Sequence, residues 1–455
     1  MLNPLLLPEL REMLAEGDVA GLRDVTTELH PATIAEFLEG LTNEETWQVL
    51  DHATIERQAE IFGYFPIEKQ VEMVEGIGKD RMSRLLEEMP PDNRVDLLKR
   101  LEPELVESLL PLVAKAERHD IRLLLSCPEH SAGSIMTTEY ASLPEDITVA
   151  EALNRLRTQA PHSETIYYIY VLDVDRHLLG TVSLHELILA KPNTPVRDLM
   201  QRDVISVRVD EDQEEVAKKM ARYDFIAMPV VDPENHLVGI VTHDDVIDVV
   251  VEEATEDALR MGGVGTIVEH YLDAPFVRVW WKRSVWLSCL FVAELFTFTA
   301  LAHFEHAIQA LVALALFVPL CISTGGNSGS QAATLITRAM ALGHIRQSDW
   351  WRVLRHELLM GLALGLTLGA IGFLRAALTP QTVLGPVDPW RLALVISQAV
   401  MAICLWGTLV GAMLPLLFKR LGIDPGYASS PFVATFVDVT GIVIYFTIAG
   451  MYLTL

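Results

Sequence analysis

Cysteine is scarce in this chain: four in 455 residues, Cys127, Cys289, Cys321 and Cys404, with no CxxC pair and three of them inside apolar runs. That usage excludes a disulfide framework and a zinc site, and reads as small buried hydrophobes in a reducing compartment. Basic charge is also short. The chain carries 35 Lys+Arg against 61 Asp+Glu, a formal net charge of −26, which excludes nucleic acid as a partner because phosphate binding needs Lys and Arg. The opening MLNPLLLPELREML lacks the basic segment of a secretory signal and turns acidic at once, so the soluble part is expected to stay in the cytoplasm. Beyond Arg283, charge of either sign nearly vanishes. Up to that residue lie 54 acids and 27 bases, leaving seven acids and eight bases for the remainder. An acidic soluble part precedes an apolar one, and its surface suits cations.

What is present falls into three stretches. Residues 1 to about 130 hold segments such as HPATIAEFLEGL, PIEKQVEMVEGI and PPDNRVDLLKRL, with apolar residues at i, i+3, i+4 and i+7 between Pro, Gly and cap-like Thr or Asp. Their short period predicts stacked helical hairpins, a small α-solenoid. Between about 136 and 251 the chain repeats itself. YIYVLDVDRHLLGTVSLHELI and FIAMPVVDPENHLVGIVTHDDVI align at an offset of 59, matching Asp173 to Asp232, His177 to His236, Gly180 to Gly239 and Val182 to Val241. Each copy reads strand, tight turn, strand, helix, and the pair resembles tandem CBS domains, a β-α-β-β-α module. Gly239, Thr242 and Asp245 fall where many CBS domains hold a nucleotide ribose; the first copy carries Ser183 and Glu186 there instead.

Five apolar runs follow, at about 284–304, 307–336, 356–378, 391–418 and 428–452, each long enough to cross a bilayer. With the N-terminus inside, the cytoplasmic flanks hold Arg278, Lys282, Arg283, Arg338, Arg346, Arg352, Arg355, Lys419 and Arg420, and the outer flanks only Arg375 and Arg391. The positive-inside rule therefore sets the C-terminus outside. Seven of the eight Trp lie between 280 and 406, mostly at span ends, as an aromatic belt requires.

Three features carry chemistry. In the second run, LCISTGGNSGSQAAT sets Gly325, Gly326 and Gly329 beside Asn327, Ser328 and Gln331. Glycine costs a helix about 1 kcal/mol relative to Ala, so the stretch makes sense if it permits close helix approach or turns amides toward a wet interior. Gly361, Gly365, Gly369, Gly407 and Gly411 show the same small-residue spacing, and packing accounts for those. GNSG also fits the G-x-S-G motif of rhomboid-like intramembrane proteases, but no histidine lies mid-span to serve as base, and no enzyme is expected. In the last run Asp438 is the single charged side chain from Pro425 onward, and an ionised acid at mid-membrane costs about 2.5–3.5 kcal/mol. It marks a functional site, with Pro431, Ala434 and Thr435 just before it. Mg2+ sheds its waters reluctantly and is held by one or two carboxylates through its shell, so Asp438 in a wide, wet pore on a two-fold axis fits that ion. Finally, THDDVIDVVVEEATEDALRMGG lines up Asp245, Asp248, Glu252 and Glu256 on nearly one helical face, where like charges repel unless cations bridge them.

GGNSGSQAATLITRAMALG and the P-x-x-A-T-x-x-D of Pro431, Ala434, Thr435 and Asp438, together with the order of segments, resemble the MgtE family of magnesium channels over essentially the whole chain. The resemblance implies a multidomain membrane protein. Its parts are an α-helical N domain over 1–130, a tandem CBS (α+β) pair over 131–251 (copies about 136–191 and 198–251), an acidic connecting plug helix over 252–277, and a five-helix transmembrane pore domain over 278–455. It implies a multi-pass homodimer in the lipid of the cytoplasmic (inner) membrane, Asp438 from both subunits at the selectivity site, and a pore lined by Asn327, Ser328, Gln331, Pro431, Ala434 and Thr435. Cytosolic Mg2+ would close it. Regulatory ligands carried over by motif are Asp212, Glu214 and Asp224; Asp245, Asp248, Glu253, Glu256 and Asp257; Asp92, Asp96 and Glu60; and the Gly133 carbonyl. ATP or another adenine nucleotide would sit at Thr242 and Asp245, which leaves Asp245 two roles. The alternative activity is proton-coupled divalent cation transport, with Asp438 cycling its proton.

Overall fold

Short helices build the first part because each is started and stopped locally. Thr42 and Glu45 form a reciprocal capping box, Asp18 and Thr54 cap with their side chains, and Pro31, Pro91 and Pro103 occupy first-turn positions where a missing N–H costs nothing. In the computed structural model, which describes residues 7–453 apart from 268–270, 273, 311 and 385–386, ten α-helices run from Leu7–Glu16 to Lys115–Leu125. They close over one core that includes Leu38, Leu50, Phe62, Met73 and Leu85. The chain divides into two compact units, Met1–Glu252 and Glu253–Leu455.

Within the first unit the two repeats form two like sheets. β1 (Tyr140–Pro144) pairs parallel with β2 (Thr165–Leu172), which pairs antiparallel with β3 (Leu178–Ser183). β4 (Val207–Arg208), β5 (Ala227–Val231) and β6 (Leu237–Thr242) repeat that order. The two hairpin tips meet: His177 bridges His236, and their rings stack at 4.4 Å. Each tip is shaped by its aspartate. Asp173 accepts from the His177 backbone N–H at 2.9 Å, and Asp232 from that of His236 at 2.8 Å. Val95 and Leu124 of the helical part enter the core of the second repeat beside Met136, Val207 and Val230. That docking matters for the acids, since Asp92, Val95 and Asp96 share one face of the helix Pro91–Arg100.

The connecting helix differs from expectation. Instead of spanning 252–277, it begins at His243 as the last helix of the second repeat and ends at Met261; residues 262–267 are not helical, and 268–270 and 273 lie outside the described residues. Gly263, at φ +70°, stops it where a β-carbon would be strained.

Among its described residues the second unit holds five helices long and apolar enough to cross a membrane: Phe276–His303, Val312–Ala341, Trp350–Ala377, Pro389–Arg420 and Ser430–Tyr452. The run expected to open the second span at 307 is instead a separate short helix, Glu305–Ala310. The glycines set the packing. A β-carbon on Gly407 would lie 2.2 Å from the Gly325 carbonyl oxygen, and one on Gly411 2.0 Å from that of Gly329, so the second and fourth spans touch backbone to backbone. Gly361, Gly365 and Gly369 seat the third span against Leu405, Met401 and Ser397 of the fourth.

Candidate cation sites

The second span divides its small and polar residues between two faces. Gly325, Ser328 and Gly329 turn toward the fourth span; the Ser328 hydroxyl, 5% exposed, donates to the carbonyls of Gly325 (3.1 Å) and Cys404 (3.2 Å). Its bonds go to backbone, which suits a packing role and leaves it unlike a nucleophile beside a base. Pro319, Ser323, Gly326 and Asn327 lie on the other face. They line a cleft of about 310 Å³ with Ala434, Asp438 and Ile442 of the fifth span and Glu294 and Thr297 of the first. The absence of a side chain at Gly326 makes the room: a β-carbon there would sit 3.6 Å from both Ala434 and the Asp438 Oδ1. Pro319, inside its helix, supplies no N–H to the backbone ladder at this level.

Of the expected pore residues, Asp438, Asn327 and Ala434 share this cleft. Ser328 does not, and Gln331, Pro431 and Thr435 are absent from its walls, standing one or two turns from Asn327 and Asp438 along the same two helices. Asn327 and Gln331 stand exposed one turn apart on the second span. Glu294 is the residue that sequence reasoning passed over, although an ionisable group within a span is itself the signal. Its Oε1 accepts from the Thr297 hydroxyl at 3.0 Å. A larger groove of about 850 Å³, walled by Trp350, Trp406, Phe432 and Phe436 with Arg420 at its rim, has no acid in its walls among the described residues.

In the first unit, acids from three places converge: Asp92 and Asp96 on the helix Pro91–Arg100, Glu164 ahead of β2, and Asp244, Asp245, Asp248 and Glu252 on the helix that opens at His243. Burial first, then the charges of Glu164 and Asp96, push the Asp92 carboxyl above the usual carboxylate range. Burial and the Asp92 charge do the same to Asp245. Glu164 is raised to about 6 by burial and by Asp244 and Asp245. Asp96 is raised by burial and Glu252 against the pull of Lys99 and Arg100. Such mutual elevation is what a site for a divalent ion looks like to its own carboxylates. Sequence reasoning named Asp92, Asp96, Asp245 and Asp248 but omitted Glu164, which only the fold brings near.

Other expected ligands stand apart. Asp212 caps the N-terminus of the helix Gln213–Tyr223, accepting from the Glu214 N–H at 2.9 Å, while Asp224 closes the far end at φ +54°. Eleven helical residues hold them about 16 Å apart, so within one chain they cannot share an ion. Glu214 is paired with Lys218 at 3.0 Å. Gly133 lies by the Asp212 end, its N–H on the Val209 carbonyl, and a β-carbon there would strike the Cys127 sulfur at 2.6 Å. Glu60 is 2.7 Å from Arg57. In the second unit, Glu256 meets Arg260, which also grips Asp424, and takes the Thr266 hydroxyl at 2.8 Å. Glu253 and Asp257 follow the same helix. At the ribose position the Thr242 hydroxyl donates to Asp245 at 2.5 Å, whereas Ser183 and Glu186 are consumed in a capping box. Among the described residues, the one His-or-acid trio whose ligand atoms all lie within 4.8 Å of one another is Asp232, Glu234 and His236 at a hairpin tip. The acids around Asp245 form no such trio among the described residues.

Comparisons with known proteins agree along the chain. A family model described as a divalent cation transporter matches residues 318–448, one described as the MgtE intracellular N domain matches 29–130, and the CBS domain model matches twice, at 132–193 and 196–252. The magnesium transporter MgtE of Thermus thermophilus is 41% identical over 456 residues, 98% of this chain and 98% of its own length. That of Enterococcus faecalis is 37% identical over 341 residues, covering 74% and 72%. Among solved structures, the cytosolic domain of the Mg2+ channel MgtE in complex with ATP matches with a TM-score of 0.51 at 41% identity, over 53% of this chain and 99% of that one. The soluble part of a magnesium transporter matches at 0.52 and 35% identity, over 55% and 98%.

Proposed function

The chain belongs to the MgtE family of divalent cation transporters, and from that premise we propose that it is a Mg2+-selective channel of the cytoplasmic membrane, shut by Mg2+ on its cytosolic acids. The observation that carries the reading is Asp438: a carboxylate within an apolar span, facing a cleft with Asn327 and Gly326, with no Lys, Arg or His ion-paired to it among the described residues. A group that costs about 3 kcal/mol to insert needs a cation to offset it, and a cleft of about 310 Å³ admits one with its hydration shell. Two chains on a two-fold axis would set two such carboxylates around one ion. Asn327 and Gln331, polar and exposed in the single chain, support that partner, since polar side chains in spans are rarely left to lipid.

The gate in this reading is the cluster of Asp92, Asp96, Asp245 and Asp248, joined by Glu164 and Asp244. Bound Mg2+ holds the N domain against the second CBS copy; its loss lets the acids repel one another. Glu253, Glu256 and Asp257 extend the acidic helix beyond them. An adenine nucleotide at Thr242 and Asp245 would compete for the same aspartate, and a related cytosolic domain has been solved with ATP. The N-terminus is cytoplasmic and the C-terminus external.

The test is Mg2+ influx into proteoliposomes. Asp438→Asn should lower influx at least a hundredfold while the protein still purifies as folded; wild-type influx from that variant would defeat the assignment. Wild-type influx that follows an imposed pH gradient would select the proton-coupled alternative.

A further inference from the structure

We infer that Glu294 of the first span is a second carboxylate of the transported-ion site, acting with Asp438 across the cleft; this rests on the reading of Asp438 above. Three observations converge. The two acids come from different spans, Phe276–His303 and Ser430–Tyr452, yet line the same cleft of about 310 Å³. No Lys, Arg or His pairs with either among the described residues. Between apolar walls that include Ile322 and Ile442, the cleft holds polar groups suited to a hydrated cation: Asn327 and Ser323 supply oxygens, Gly326 supplies room, and Thr297 donates to Glu294 at 3.0 Å, holding its carboxylate in place. Six waters at about 30 Å³ each fit the volume, so both carboxylates can grip one ion through its shell.

A bland role exists for Glu294, as an acid that hydrogen-bonds its own helix through Thr297. That role predicts no ion dependence. The ion-site role predicts that two fixed negative charges favour a divalent over a monovalent cation more than one does, because each carboxylate's attraction scales with the ion's charge. The first span therefore contributes to selectivity as well as to anchoring.

The experiment compares wild type, Glu294→Gln, Glu294→Asp and Asp438→Asn, each full-length in proteoliposomes, with Mg2+ influx and the Mg2+ to Na+ influx ratio as readouts. Glu294→Gln should raise the half-saturating Mg2+ concentration about tenfold and lower the Mg2+ to Na+ ratio by a similar factor, and Glu294→Asp should restore most of both. If Glu294→Gln matches wild type in both readouts while Asp438→Asn abolishes influx, the inference about Glu294 is overturned and the reading of Asp438 stands. If neither neutral variant alters influx, both are overturned. A Glu294→Gln whose loss is not restored by Glu294→Asp, with an unchanged ion ratio, assigns Glu294 a structural role and overturns the inference too.

Discussion

Consider Gly411→Ala, a single methyl added between the second and fourth spans. The new carbon would lie 2.0 Å from the Gly329 carbonyl oxygen and 2.8 and 2.9 Å from its carbonyl carbon and Cα, against an ordinary contact of 3.4 Å or more. The obstruction is backbone, so no rotamer relieves it. The spans must part by about 1.4 Å (from 2.0 to 3.4 Å) at this level, which loosens the neighbouring contact of Gly407 with Gly325 as well. Overpacking of this kind costs about 1–3 kcal/mol, and the upper end applies where nothing flexible can yield. The control is Gly450→Ala on the fifth span, where none of the described residues stands within 4 Å of the added carbon; there the change should stabilise by up to about 1 kcal/mol through helix propensity. Thermal unfolding of the full chain in detergent should therefore separate the two variants by about 3 kcal/mol. Gly411→Ala should also slow Mg2+ influx, because the displaced span carries Gly326 and Asn327 into the cleft. A Gly411→Ala protein that melts with Gly450→Ala and conducts normally would refute the backbone-contact argument.

Further outcomes follow from the acids and from one buried cation. Glu164, Asp92 and Asp245 hold raised carboxyl pKa values. A pKa raised by folding gives stability that is complete below the unfolded value and lost as pH climbs through the folded one, about 6 for Glu164. Without Mg2+, hydrogen-exchange protection of the helix Pro91–Arg100 should thus fall between pH 5 and 7.5, and millimolar Mg2+ should restore it at pH 7.5. Asp245→Asn should flatten that profile, and identical protection at all pH values with and without Mg2+ would count against the sensor. Arg94, 1% exposed, reaches Glu117 at 2.5 Å and the Met89 carbonyl at 2.7 Å. Arg94→Ala should destabilise the first unit by about 3 kcal/mol, since it strands an acid beside Asp120 and Glu139; a loss under about 1 kcal/mol in thermal unfolding would contradict this.

Much of this architecture was legible before any coordinate. Period-3.6 segments, a repeat in register at an offset of 59 and five apolar runs are local patterns, and local patterns survive in one dimension. Asp438 was legible for the same reason, an isolated charge in a long neutral run. Glu294 carried a similar signal, an ionisable side chain inside an apolar run. Glu164 offered no signal at all: it is an acid ahead of a strand until the fold brings it beside Asp244 and Asp245. Asp212 and Asp224 were legible as acids, and the helix Gln213–Tyr223 sets them at its opposite ends. The break between Glu305–Ala310 and the second span was hidden by hydropathy, which does not register a helix end inside an apolar run.

The two faces of the second span have a consequence for inherited variation. Residues that are neighbours in the gene, 325 to 329, belong to different physical compartments, so the effect of a substitution follows the angle around the helix and not its distance along the chain. Changes at Gly325, Ser328 or Gly329 should reduce how much transporter a cell accumulates. Changes at Gly326 or Asn327 should leave abundance intact and alter which ion sustains growth. One five-codon stretch thereby encodes two separable traits, quantity and discrimination, that selection can adjust independently.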